Sequence, residues 1–75
     1  MVLKGKIKFF SESKRFGFIE CEGGYSEEFF FHQNDITPRG SILRGGDFVV
    51  FELIDSPKGI SATNVKKIYD NKNLE

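Results

Sequence analysis

One histidine, His32, and one cysteine, Cys21, are the residues beyond carboxylates, amines and hydroxyls that could do chemistry here. They are too few for a metal site, because a zinc shell needs three or four ligands. Nor do a nucleophile, a base and an orienting group recur at a spacing that would assemble a catalytic set. No glycine-rich phosphate loop is present. The sequence therefore reads as a protein without catalytic residues, metal or cofactor. Its unusual chemical asset is aromatic. Nine residues are Phe, two are Tyr and none is Trp. Nine rings exceed what the core of so short a chain takes up, so some must face water. An exposed ring can stack on a nucleobase, and each stacked base contributes about 1–3 kcal/mol. A duplex hides its base faces, so a stacking surface selects single strands.

Charge leaves room for that chemistry. Eleven basic and 11 acidic residues cancel. Net neutrality argues against a protein that holds duplex DNA chiefly by its phosphates. The charges are unevenly spread, however. Lys4, Lys6, Lys8, Lys14 and Arg15 precede the acidic group Glu20, Glu22, Glu27, Glu28 and Asp35, with Glu12 alone opposing them early on. A locally basic N-terminal hairpin on a neutral domain follows, although lysines of this kind also serve simply to solvate a strand face. Cys21 has no intramolecular partner, and a domain this small in an oxidising compartment usually carries disulfides. The segment MVLKGKIKFF lacks a signal-peptide core, and no stretch approaches a membrane span. A cytoplasmic location, with no membrane contact, is expected.

The elements that must position the rings follow from turn signals and alternation. Turn residues fall at Ser11 to Ser13, Glu22 to Ser26, Pro38 to Gly40, Gly45-Gly46 and Ser56 to Gly59. Between them the sequence predicts strands near Lys4–Phe10, Phe16–Cys21, Glu28–His32, Phe48–Ile54 and Ile60–Ile68. A single helical turn fits near Gln33–Ile36, and no window has the apolar period of a core helix. Residues 1–69 form one all-β domain in this reading, a small barrel or sandwich, and 70–75 a polar tail.

Side chains alternate across a strand, so parity assigns faces. If Ile19, Phe29, Phe31, Val49, Phe51 and Leu53 fill the interior, then Phe16, Phe18, Phe30 and His32 point outward on neighbouring strands. Phe48 and Val50 also fall on an outer face. They suit a barrel edge, a dimer contact or a protein partner. Strict alternation places Phe9 on the side of Ile7, inside.

Three segments, in order, resemble the bacterial-type cold-shock proteins, and the likeness spans about Leu3 to Ile68. Gly5-Lys6-Ile7-Lys8-Phe9-Phe10 is similar to the family's opening strand, Gly-Lys-Val-Lys-Trp-Phe. Lys14-Arg15-Phe16-Gly17-Phe18-Ile19 resembles its first ribonucleoprotein motif, Lys-Gly-Phe-Gly-Phe-Ile. Phe29-Phe30-Phe31-His32 resembles the second, Val-Phe-Val-His-Phe. The resemblance implies a five-stranded antiparallel OB-fold barrel. It implies stacking groups at Phe9, Phe10, Phe16, Phe18, Phe30 and His32, with Lys8 and Lys14 adding positive charge. For both Phe9 and Phe10 to reach that surface, the first strand needs a bulge.

Departures from the family pattern matter as much. Phe9 stands where Trp is usual, Gln33 where an aromatic follows the His, and the loop from Thr37 to Leu43 is one residue short and lacks its Phe. Arg15 stands at a Gly position. If the backbone there needs a positive φ, the Arg is strained. If not, its guanidinium adds a charge and a flat surface. The implied function is low-specificity binding of single-stranded RNA or DNA by a monomer, as an RNA chaperone or regulator of gene expression under cold or other stress. The alternative is an OB-fold protein-interaction domain, monomeric or dimeric, with weakened nucleic-acid binding.

Overall fold

The computed structural model describes residues 2–21, 27–57 and 59–68. Alternating β-branched and aromatic residues fit a pleated surface covered on one side, and they form five strands. These are β1 (Leu3–Ser11), β2 (Phe16–Cys21), β3 (Glu28–His32), β4 (Phe48–Ser56) and β5 (Gly59–Lys67), with a 3-10 turn at Gln33–Asp35. All neighbours are antiparallel, in the order β3-β2-β1-β4-β5. The all-β reading therefore holds, and β2 and β3 match their expected bounds. The expected turn at Glu22 to Ser26 and the polar tail at 70–75 lie outside the described residues.

The sheet curls until its outer strands, β3 and β5, come into contact. The seam is not a hydrogen-bonded ladder. It is one parallel bridge between Ile36 and Val65, with the Thr37 N–H donating to the Val65 carbonyl at 2.8 Å. Beside it the Thr63 hydroxyl donates to the Asp35 carboxylate at 3.1 Å. Packing closes the barrel. Ile7, Ile19, Phe31, Val49 and Phe51 fill it from four strands, joined by Ile36, Leu43, Ala62 and Val65.

Two interior assignments need correction. Leu53 is exposed. β1 pairs with β4 only as far as Phe51, so beyond that point β4 has β5 alone as a neighbour. The hairpin runs past the barrel, and Leu53, Ile54 and Ile60 stand in solvent with it. Phe29 is half-buried, its ring 6.0 Å from Phe51 at the border of the core. Cys21 likewise packs against the core as a free thiol.

A bulge in β1 decides what the outer face presents. Ile7 pairs with Ile19, but the next partners are Phe9 and Phe18, so Lys8 is the extra residue. Before the bulge, Gly5 and Ile7 face inward while Lys4 and Lys6 face out. After it the parity inverts. Phe9 turns outward at 48% exposure, which corrects the expectation from strict alternation. Phe10 turns in and stacks on Phe31, 5.8 Å between centroids and nearly parallel at 7°.

Candidate nucleic-acid interface

Register brings the rings together. Phe18 lies opposite Phe30 and Phe16 opposite His32 across β2–β3, and Phe9 lies opposite Phe18 across β1–β2. Phe16 is the centre of the group. Its ring is 6.1 Å from Phe9, 6.0 Å from Phe18 and 5.7 Å from Phe30, and Phe18 and Phe30 are 6.0 Å apart. These are ordinary spacings for aromatic pairs. The interplanar angles run from 31° to 85°, so the rings present faces and edges in several orientations instead of one flat sheet. Phe9 and Phe30 are exposed, Phe16 and Phe18 half-buried by their neighbours, and none is sealed inside.

Gly17 makes this packing possible. A Cβ there would come within 2.4 Å of the Phe9 carbonyl oxygen and 2.8 Å of the Phe31 ring. The absent side chain lets β1 approach β2, so that Phe9 can reach the rings on either side of the glycine.

His32 borders the cluster and begins the 3-10 turn. Its Nδ1 accepts the Asn34 N–H at 3.1 Å, and the Asp35 carboxylate accepts the His32 N–H at 2.9 Å. With Nδ1 accepting, the neutral ring carries its proton on Nε2, which remains a donor for a base edge or a phosphate. The same Asp35 holds Thr63, so the histidine is fixed by a carboxylate that also ties β5 to the seam.

The remaining sequence-predicted residues are placed differently. Phe10 is half-buried on the far side of the bulge, outside the ring cluster. It instead floors an open groove of about 430 Å³ with Arg15, Gln33, Ser41 and Ile42. Lys14 lies in the exposed turn before Phe16. Lys8 is engaged by an ion pair with Glu28. That carboxylate, as hydrogen-bond acceptor and as charge, raises the Lys8 ammonium above the usual lysine range. A raised lysine contributes fully at every pH below its ordinary value of 10.5 and loses the contribution only as pH climbs through the raised one. This pair therefore gives no pH dependence near neutrality.

Arg15 resolves the question its position posed. Its φ is +66°, in the left-handed region. Its N–H donates to Ser11 and its carbonyl accepts from Gln33, both within 2.8 Å, so the turn and the 3-10 segment both fix it. Sequence reasoning missed the groove beside it and the Lys8–Glu28 pair. The latter had only a weak signal, opposite charges on strands whose adjacency was not yet known.

Residues 3–68 match the family model described as 'Cold-shock' DNA-binding domain. The chain belongs to this cold-shock family. It is 45% identical over 69 residues to the cold shock-like protein CspE of Bacillus anthracis, covering 91% of this chain and all of that one. It is also 45% identical to the cold shock-like protein CspE of Escherichia coli K12, covering 84% of this chain and 91% of the relative. Among solved structures, a Drosophila chain described as Unr CSD456 superposes with a TM-score of 0.77 at 24% identity. That match covers 96% of this chain and 29% of the longer one, and it supports the five-stranded OB fold. As a cold-shock domain the protein is a nucleic-acid-binding module and not an enzyme. Among the described residues no helix is long and apolar enough to cross a membrane.

Proposed function

We propose that the protein binds single-stranded RNA or DNA with little sequence preference, by stacking bases on Phe9, Phe16, Phe18 and Phe30. The supporting observation is the contiguous ring cluster on one outer face of β1–β3. His32 adds a hydrogen-bond donor at its border, and Lys14 an exposed charge nearby. Phe10 and Lys8 take part less directly, one as the floor of the adjoining groove and the other after release from Glu28. Trapping unpaired segments opposes hairpin refolding, so the role is that of an ATP-independent RNA chaperone or regulator of gene expression during stress. The protein acts as a cytoplasmic monomer in this reading.

Fluorescence anisotropy with labelled short oligo-dT and oligo-U tests the proposal. The expected result is saturable binding to both, with a shallow salt dependence because stacking dominates. Affinity that survives Phe16→Ala combined with Phe30→Ala would contradict it. Absence of binding at any salt concentration would instead favour an OB-fold domain devoted to protein contacts.

A further inference from the structure

The outer face of the sheet continues past the ring cluster onto β4 and β5. There Lys6 lies opposite Phe48, Lys4 opposite Val50, and Val50 opposite Lys66. Phe48 is 43% exposed and, among the described residues, pairs with no aromatic ring, and the Lys6 ammonium sits 5.9 Å from its ring centroid. The charges around it are unevenly matched. Glu28 is engaged by Lys8, Asp47 by Lys67, and Glu52 accepts a hydrogen bond from Asn64. Lys4, Lys6 and Lys66 are all exposed and, among the described residues, join no ion pair. Among the described residues, Glu20, half-buried opposite Lys6, and Glu52, whose bond from the neutral Asn64 leaves its charge in place, are the acids on this face left to offset them.

Resting on the stacking reading above, we infer that this face is a second tract for the same single strand: Lys4, Lys6 and Lys66 hold its phosphates and Phe48 packs against its sugar or base. Two facts favour that occupant over a protein. Among the described residues three lysines face two carboxylates, and the excess of positive charge complements a polyphosphate backbone. The face is also continuous with the ring cluster through β1, whose outward residues pass from Lys4 and Lys6 to Phe9. A strand long enough to leave the rings runs onto the lysines. The two tracts differ in physics. Stacking is nearly indifferent to salt, whereas each phosphate contact on a single strand adds about −0.7 to the log–log salt slope.

The test compares labelled oligo-dT of about five nucleotides with oligo-dT of about ten, lengths that span the rings alone or both tracts. Three lysines steepen the slope for the longer probe by about 2, so raising salt from about 50 to 200 mM costs it about 20-fold more affinity than the shorter one loses. Replacing all three by Gln (K4Q/K6Q/K66Q) removes that excess and leaves the short probe unaffected. Phe48→Ser weakens the long probe about fivefold and spares the short one. An unchanged excess slope in the triple variant overturns the inference. So does a concentration-dependent dimer that Phe48→Ser dissolves, which would assign the face to a second copy of the chain. Binding of the short probe with no lysine-dependent excess for the long one defeats this inference alone. Failure of both probes defeats the stacking reading with it.

Discussion

Two regions expose apolar side chains, and they do so for different reasons. On β1–β3, Phe9, Phe16, Phe18 and Phe30 form a connected group of rings with centroids about 6 Å apart. At the far end of the β4–β5 hairpin, Leu53, Ile54 and Ile60 are about as exposed as Phe9 or Phe30, yet β4 has no β1 neighbour there and Ile60 pairs only with β4. The first group is held by register, by a bulge and by a glycine that lets strands approach. The second is what remains when a hairpin is longer than its neighbours. Exposure alone does not mark a site. A flat π face offered among others offers a base something specific, whereas an aliphatic tip offers only area.

The sharpest way to break this contrast is to truncate a ring. Phe18→Ala is expected to lower affinity for oligo-dT by roughly 10- to 100-fold, the loss of one stacked base, with a smaller change in melting temperature. A collapse of stability with binding little changed would move Phe18 from the interface to the core. Gly17→Ala attacks the support rather than the ring. Its methyl group meets backbone and aromatic atoms at once, and overpacking of this kind destabilises by about 1–3 kcal/mol. Thermal denaturation should show a drop of several degrees, and a neutral result would contradict the close approach of β1 and β2.

Smaller changes sharpen the picture. Arg15→Gly relieves a left-handed φ and should stabilise by about 0.5–1 kcal/mol, the steric relief exceeding the added freedom of the unfolded chain. A lower melting temperature would mean that the Arg15 side chain contributes more than its backbone loses. Glu28→Gln releases Lys8 and removes a negative charge beside the rings. Titration at low salt should show binding tightened about two- to fivefold, and no gain would place Lys8 outside the path of the strand. Ile60→Ser, on the hairpin, should leave affinity unchanged and stability within about 0.5 kcal/mol. A marked loss of binding would erase the distinction between the two regions.

Much of the candidate interface was legible because strand parity is a local property. Phe16, Phe18, Phe30 and His32 share a face by alternation alone, and that face is set once Ile19 and Phe31 are inside. Phe9 and Phe10 were not legible in this way. One extra residue in β1, at Lys8, reverses the parity after it and exchanges their sides, Phe9 outward and Phe10 inward onto Phe31. The extra residue is visible only as a break in pairing with β2. Leu53 failed for a related reason. Its alternation with Val49 and Phe51 is faultless, but the barrel beneath it has ended.

The sequence by itself determined the five strands and their aromatic outer face, because turn residues and two-residue alternation act over a few neighbours. Tertiary structure alone decided which rings meet, where the interior stops and which lysines, among the described residues, join no ion pair. These depend on register between strands far apart in sequence. A one-residue shift there exchanges inside for outside, and no local pattern records it.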